Sequence, residues 1–231
     1  MNGLWRRRAI ARAAGWGRGL ILVLVLGAVV DLNAQSLPPI ALPKPRMTGG
    51  KPVLEALRDR RTVRELSPAP LPAQTLSDLL WAGFGINRPD TGHRTAPSAM
   101  NAQEIDVYVA NEQGVYRYNP QALLLEPLQA GDLRRKTTGQ DFAQAPVTLI
   151  FVADYARMTK ASADRKEFYS AIDTGCISQN IYLFCASAGL GTVVHDLDRA
   201  GLGAAMKLRP DQKIVLAQAV GFVRPGSGKP D

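Results

Sequence analysis

The chain of 231 residues has two cysteines and two histidines, and aromatic residues make up only 6% of it. Each scarcity excludes something. Cys176 and Cys185 lie nine positions apart in what reads as one helix, so steps of about 100° put them on opposite faces, roughly 13 Å apart along the axis. A disulfide needs Cα atoms within about 7 Å, so these two cannot pair within that helix; they read as small, buried apolar groups. With only His93 and His195, and no grouping of Cys, His or carboxylates at ligand spacing, a metal centre is not expected. Ser98 stands outside any nucleophile-elbow context, and the glycine fingerprints of P-loop and dinucleotide-binding folds are both missing. No side chain is therefore marked as catalytic, which favours chemistry carried by a tightly held cofactor.

Positive charge is not scarce: 28 Lys and Arg stand against 20 Asp and Glu, a formal balance of +8. Its distribution matters more than its size. Residues 1–34 hold five arginines (Arg6, Arg7, Arg8, Arg12, Arg18) and one acid, Asp31, so about half of the positive balance belongs to the N-terminus. The remainder is mildly basic and has no aromatic platform beside a basic stripe, which argues against a nucleic-acid partner. The hydrophobic fraction of 46% and charged fraction of 21% suit a globular chain rather than a disordered one. The length allows one sizeable domain plus an appendage.

That appendage reads as an export signal. Residues 1–18 are arginine-rich and free of acids, and the apolar run from Leu20 to Val30 follows. The run is shorter than the roughly 20 residues that cross a bilayer comfortably, and is nearer signal-peptide length. Asp31-Leu32-Asn33-Ala34 allows cleavage after Ala34, while the bulk of Leu32 leaves an uncleaved anchor open. In either case the arginines stay in the cytoplasm and the rest faces outward. The expected location is thus exported, either periplasmic or anchored through residues 1–34 and facing the periplasm. Arg7-Arg8 followed by Ile10 is faintly compatible with the twin-arginine route, which carries proteins already folded round a cofactor.

Residues 35–52 are rich in proline and glycine and lack periodicity, as a linker would be. The domain proper is expected over residues 53–225, with a tail at 226–231. It opens with a helix from Val53 to about Arg60, and a second runs from Pro72 to Phe84 with Leu76, Leu79, Leu80 and Gly83 on one face. Residues 85–104 read as a long loop of the kind that carries function. Ile105, Val107 and Val109 alternate with Asp106 and Tyr108 in a half-buried strand, which turns at Asn111–Gly114 and returns over Val115–Tyr118. Asn119-Pro120 reads as a helix start. Val147–Ala153 is a buried strand. The long helix Arg165–Ala188 is apolar around much of its circumference, so it is buried in a core or between subunits. Gly189-Leu190-Gly191 ends it, Asp198 caps a short helix to about Leu208, and Lys213–Val223 is the last strand. Strands and helices mix without strict alternation, so the class is α+β.

Three stretches could carry chemistry. Arg60-Arg61-Thr62-Val63-Arg64 offers three guanidinium groups and a hydroxyl, which suits a phosphate, although such runs are also ordinary solvated edges. Thr95 to Gln103, containing Pro97, Ser98, Ala99 and Asn101, has small residues that let backbone approach a flat ligand and polar groups for a ring edge. Read alone, it is equally a turn whose Asn and Ser hold their own backbone. Gly189 to Asp196 supplies glycines that can cap a helix, then Val194, His195 and Asp196; adjacent His195 and Asp196 seldom point the same way, so an acid–base pair is not expected.

Taken together and in this order, RRTVR after the first helix, PSAMNAQ leading into a strand, and a buried helix ending SAGLGTV resemble the nitroreductase superfamily. The phrases LLWAGFGIN, GHRTAPSA, GVYRYNPQALLL, DFAQAPV and SQNIYLFCASAGLGT look most like its thiazole-oxidase-like (SagB/ThcOx-type) branch, and the likeness spans about residues 51–224. The resemblance implies a mostly antiparallel sheet flanked by helices, in an intertwined homodimer with FMN at the subunit interface. It implies that Arg60 and Thr62, with neighbouring Arg61 and with Arg224 after the last strand, hold the FMN phosphate. Arg64 would reach the pyrimidine end of the flavin, where a cation stabilises charge that develops on reduction. Pro97, Ser98, Ala99 and Asn101 would line the ring from the partner subunit, and Val194, His195 and Asp196 would lie near its reactive nitrogen. Two departures stand out. Leu197-Asp198 replaces the Gly-Phe of many relatives, and no Lys-x-x-x-Tyr pair of the thiazole-oxidase kind is placed, so substrate class does not carry over.

The function expected is an FMN-dependent oxidoreductase that transfers hydride between bound flavin and a small organic substrate. Nicotinamide cofactors are essentially cytoplasmic, so behind an export signal NAD(P)H is a doubtful donor and a dehydrogenase or oxidase is favoured over a conventional nitroreductase. The alternative is a non-catalytic flavin- or small-ligand-binding protein acting as a redox partner.

Overall fold

Two strands buried on both faces set the layers of the fold. The computed structural model describes residues 37–137 and 144–226; the export signal expected over 1–34 and residues 227–231 of the tail lie outside them. In chain order the elements are β1 (Ile40–Ala41), α1 (Val53–Asp59), α2 (Ala73–Phe84), β2 (Ile86–Arg88), β3 (His93–Arg94), β4 (Ile105–Ala110) and β5 (Gly114–Asn119). They continue with β6 (Leu124–Ala130), α3 (Arg134–Thr137), β7 (Val147–Asp154), α4 (Ala163–Ala188), β8 (Leu190–His195), α5 (Arg199–Ala205) and β9 (Gln212–Phe222). The main sheet runs β1-β6-β5-β4-β7-β9-β8, and each neighbouring pair is antiparallel. This is the α+β, antiparallel architecture expected.

On one face Ile105, Val107 and Val109 of β4 and Leu149, Phe151 and Ala153 of β7 meet Leu79, Leu80 and Phe84 of α2 and Ile177, Ile181 and Cys185 of α4. On the other, Tyr108, Ala110, Ile150 and Val152 pack with Leu202 of α5, Met206 and Ile214. Both faces of β7 are therefore covered, which is why its sequence is a continuous apolar run rather than an alternating one. β4 is covered on both faces as well and is not the half-buried strand expected, since the amphipathic Tyr108 and small Ala110 are buried in the second layer. Cys176 and Cys185 both lie on α4 and are free thiols; burial pushes the Cys185 thiol up. Gly189 closes α4 in the left-handed conformation at φ 69°.

Several expectations are corrected. Asn119-Pro120 does not start a helix. The Asn119 side chain accepts from the backbone N–H of Gln121 and Ala122 (3.1 and 3.0 Å), and the chain turns back as β6. Leu124-Leu125 has good helix propensity, but pairing with β5 overrides it. Pro127 is tolerated in β6 because β1 covers only Leu124 and Leu125, leaving the rest of that edge open. Residues 85–104 are not a bare loop but contain the β2–β3 hairpin and a short 3₁₀ turn at Ala99–Asn101. Leu190–His195, read as the end of a helix and a loop, is an edge strand.

Residues 37–50 are extended and aperiodic, as their prolines require, yet packed. Leu42 is buried, Pro43 C=O accepts from Ser77 Oγ, and Arg46 pairs with Asp78 at 2.7 Å. No helix among the described residues is long and apolar enough to cross a membrane.

Candidate functional site

The arginine-rich stretch leaves α1 and runs beside β8. Val63 N–H donates to Thr192 C=O (2.9 Å), Leu66 bridges to Val223, and Arg224 N–H donates to Glu65 C=O (2.9 Å). The Arg224 guanidinium also reaches Leu66 C=O at 3.3 Å. Gly191 permits this approach, since a Cβ there would stand 2.6 Å from Leu66 Cδ2 and 3.0 Å from Val63 Cγ1. That is a packing reason for the second glycine of the Gly-Leu-Gly stretch.

One side chain of α4 ties these strands together. Tyr182 Oη lies 3.2 Å from Thr62 Oγ1, accepts from Val194 N–H at 3.1 Å, and its ring carries the Arg60 guanidinium at 5.3 Å. Arg60, Thr62 and Val194, separated widely in sequence, thus meet on a single tyrosine. Next to them is a cavity of about 410 Å³ lined by Lys51, Arg58, Arg60, Arg61 and Tyr182 among others. Its one acid, Asp59, is engaged by Lys51 (2.7 Å) and Arg58 (3.0 Å), which hold its carboxyl at about 2. Lys51, Arg58 and Tyr182 were not foreseen. Lys51 and Arg58 sit at the boundary of the expected linker and on an exposed helix face, and Tyr182 reads as one more core residue.

At the end of β8 His195 is buried while Asp196 turns outward and pairs with Arg199 at 2.6 Å. The two do not form an acid–base pair. Burial pushes the imidazole of His195 below its ordinary value, so it is neutral at pH 7; its Nδ1 lies 3.1 Å from Asp196 C=O. Asp198 caps α5 by accepting from Gly201 N–H at 3.0 Å, and Leu197 packs against the core beneath that helix. Leu197-Asp198 thus serves to start α5.

The second predicted cluster is elsewhere along α4. Ala99 N–H donates to Asp173 (2.8 Å), and Ser98 Oγ donates to Glu104 (3.2 Å) while accepting from Gln103 N–H (2.8 Å). Asp173 and Tyr182 are nine residues apart on α4, about 13 Å of helix. Within one chain, then, Arg60, Thr62, Val194 and Arg224 gather at one end. Ser98, Ala99 and Asn101 gather at another, with Pro97 and Asn101 exposed. Met100, Asn101 and Gln103 all adopt positive φ, near 50°, a conformation that non-glycine residues hold only under constraint. The constraint is visible in the paired carboxyls of Glu104 and Asp173. Burial, and then the proximity of Asp173, push the Glu104 carboxyl up. Neither acid was singled out from sequence, though an Asp on the inward face of a buried helix is a signal of that kind. Arg64 is exposed, two residues beyond Thr62. Among the described residues no group of His, Cys, Asp or Glu is placed to hold a metal ion.

The nitroreductase family model matches residues 57–222, which contain nearly all of this geometry. The chain belongs to the nitroreductase family. The chain is 35% identical over 150 residues to a nitroreductase homologue of Methanocaldococcus jannaschii, covering 60% of the chain and 75% of the relative. It is 25% identical to an FMN reductase [NAD(P)H] of Bacillus subtilis, over 76% of the chain and 63% of that protein. Among solved structures, a nitroreductase-type protein of Ralstonia eutropha JMP134 superposes with a TM-score of 0.77 at 44% identity, covering 80% of the chain and 90% of that structure. Its general class is that of the FMN-dependent oxidoreductases.

Proposed function

We propose that this nitroreductase-family chain works as a homodimer outside the cytoplasm, exchanging hydride between bound FMN and a small organic substrate that is not NAD(P)H. The observation that carries the reading is the Tyr182 node, which aligns Arg60, Thr62 and the end of β8 beside a basic cavity.

The donor set fits the cofactor. A phosphate needs several N–H donors and a short hydroxyl. Arg60 and Arg61 line the basic cavity, Thr62 follows them with its hydroxyl on Tyr182, and Arg224 is bonded to the same stretch through Glu65. Arg60 is already oriented by stacking on Tyr182, so less side-chain freedom is lost on binding. Bound FMN supplies the hydride acceptor and donor. The protein supplies position: Val194 to Asp196 present backbone at the end of an edge strand, and neutral His195 adds no charge there. Arg64 provides the cation that steadies charge on the reduced ring.

Pro97, Ser98, Ala99 and Asn101 would close the same site from a second copy. Two features support that. The loop is about 13 Å along α4 from the phosphate end of its own chain. Val53, Leu54 and Leu57 of α1, Phe168 and Ile172 of α4, and Met100 are large apolar side chains left exposed in the single chain. A second copy would cover them.

The electron donor follows from the leader, because nicotinamide cofactors are scarce where an export signal delivers a protein. Placement in the thiazole-oxidase-like branch rests on the motif phrases. The test is anaerobic reduction of the purified holoprotein. A panel of small organic reductants should bleach the flavin faster than NADH or NADPH does. Rapid bleaching by NAD(P)H, or a cytoplasmic location in fractionated cells, would contradict the proposed donor.

A further inference from the structure

Strands β4 and β5 pair only between Tyr108–Ala110 and Val115–Arg117, although both continue further. Beyond that point β4 holds only to β7, and β5 only to β6. The sheet is split there. In an antiparallel pair, alternate residues turn N–H and C=O toward the neighbouring strand, so backbone polar groups of both strands face the gap. A cavity of about 220 Å³ occupies it, enough for about seven waters and smaller than a drug-sized site. It shares no lining residue with the basic cavity beside Tyr182.

Arg94, Arg117 and Arg157 line this gap against one acid, Asp106. Two of the cations are already matched. Arg117 holds Glu126 at 2.6 Å, and Arg157 holds Asp106 at 2.9 Å and Glu104 C=O at 2.7 Å. Arg94 is different. Its guanidinium stacks on Phe84 at 4.8 Å and donates to Gln103 Oε1 (2.9 Å) and Phe84 C=O (3.2 Å), and no carboxylate pairs with it among the described residues. Burial pushes it below the ordinary guanidinium range, and Asp106, already engaged by Arg157, offsets this only in part.

Tyr118 adds a second unmet group. It is 6% exposed, lines the same cavity, and makes no hydrogen bond among the described residues. Burial pushes its phenol up to about 12, so it stays a neutral donor. One unmatched guanidinium and one buried hydroxyl facing a small space ask for a single anionic acceptor. Phe84 and Val107, on the same wall, suit an apolar stem.

We infer that the split between β4 and β5 is a binding site for a small organic monocarboxylate, held by Arg94 and Tyr118 with its apolar part against Phe84 and Val107. The site abuts the loop expected to line the flavin, because Gln103 accepts from Arg94 and donates to Asn101 Oδ1 at 3.1 Å. It does not depend on how the flavin reacts.

The test is a saturation-transfer NMR titration of the full-length, FMN-loaded protein with propionate, with inorganic phosphate as a second arm. Propionate should bind, and phosphate about tenfold more weakly. Arg94→Met should weaken propionate by about tenfold, and Tyr118→Phe, which removes only the hydroxyl, by about fivefold, for the loss of a charged or a neutral hydrogen bond. FMN content and melting temperature should stay at wild-type values in the tyrosine variant, so the outcome is read independently of the flavin site. No propionate binding, phosphate binding as strong as propionate, or affinity unchanged in Tyr118→Phe would overturn the assignment.

Discussion

Removing one oxygen atom, in Tyr182→Phe, probes the joint on which the proposed flavin site rests. The phenol oxygen contacts Thr62 Oγ1 at 3.2 Å and accepts from Val194 N–H at 3.1 Å, and the substitution leaves the ring under Arg60 in place. Two neutral hydrogen bonds are worth about 0.5–1.5 kcal/mol each, so about 1–3 kcal/mol holds the phosphate-side stretch to the end of β8. If FMN binds only the arrangement that Tyr182 fixes, that free energy appears in the dissociation constant, as a weakening of about five- to 150-fold. Fluorescence titration of apoprotein with FMN measures it. Melting of the apoprotein should fall by about 2–4 °C per kcal/mol lost. An FMN affinity within twofold of wild type, alongside a lowered melting temperature, would show that the hydroxyl is a structural tie only and refute its role in shaping the site.

Arg60→Ala should weaken FMN retention more than tenfold, since a charge-assisted hydrogen bond contributes about 1.5–3 kcal/mol; unchanged retention on dialysis would remove Arg60 from the site. Gly191→Ala should lower the melting temperature and FMN content together, because the added Cβ would press on Leu66 and Val63, an overpacking of about 1–3 kcal/mol. Ile172→Glu places charge on an exposed apolar face of α4 and should give monomers with reduced FMN by sedimentation; an unchanged dimer would put the interface elsewhere. The Glu104 carboxyl is raised in the folded protein by burial first and Asp173 second. Its proton is therefore held more tightly folded than unfolded, and the associated stability is full below the ordinary carboxylate value and lost as pH rises through the raised one. Glu104→Gln, which stays neutral, should gain stability relative to wild type from acid to neutral pH, and a pH-independent difference in melting temperature would contradict this.

The sequence made the layers legible where burial has a period. The continuous apolar run of β7 marks a strand covered on both faces, whereas the alternation of β4 suggests one covered face and misleads, because Tyr108 and Ala110 are buried on the second face as well. Helix α2 is legible from its proline start and apolar stripe, and α4 from its length and the Gly189 stop. The misreading at Asn119-Pro120 has a specific cause: a proline after a side-chain cap starts helices and also makes turns, and only pairing of β6 with β5 separates the two. β8 was hidden because an edge strand of six residues following a glycine cap looks like the end of a loop. For the site, motifs located the arginine-rich stretch, the small-residue loop and the end of β8, and the structure joins the first and third. What composition could not reveal is the agent of that joining. Tyr182 looks like core until its hydroxyl is seen between two chain segments, and Glu104 and Asp173 look like solvated charges until both are buried under one loop. Long-range contacts decide such roles, and the one local hint is Asp173 on the inward face of α4.

The most direct test of the account is the state of the purified full-length protein. It should be yellow, carry FMN released on denaturation at about one per chain, lose the flavin band with dithionite and regain it in air. A colourless preparation that takes up no added FMN would contradict the central claim.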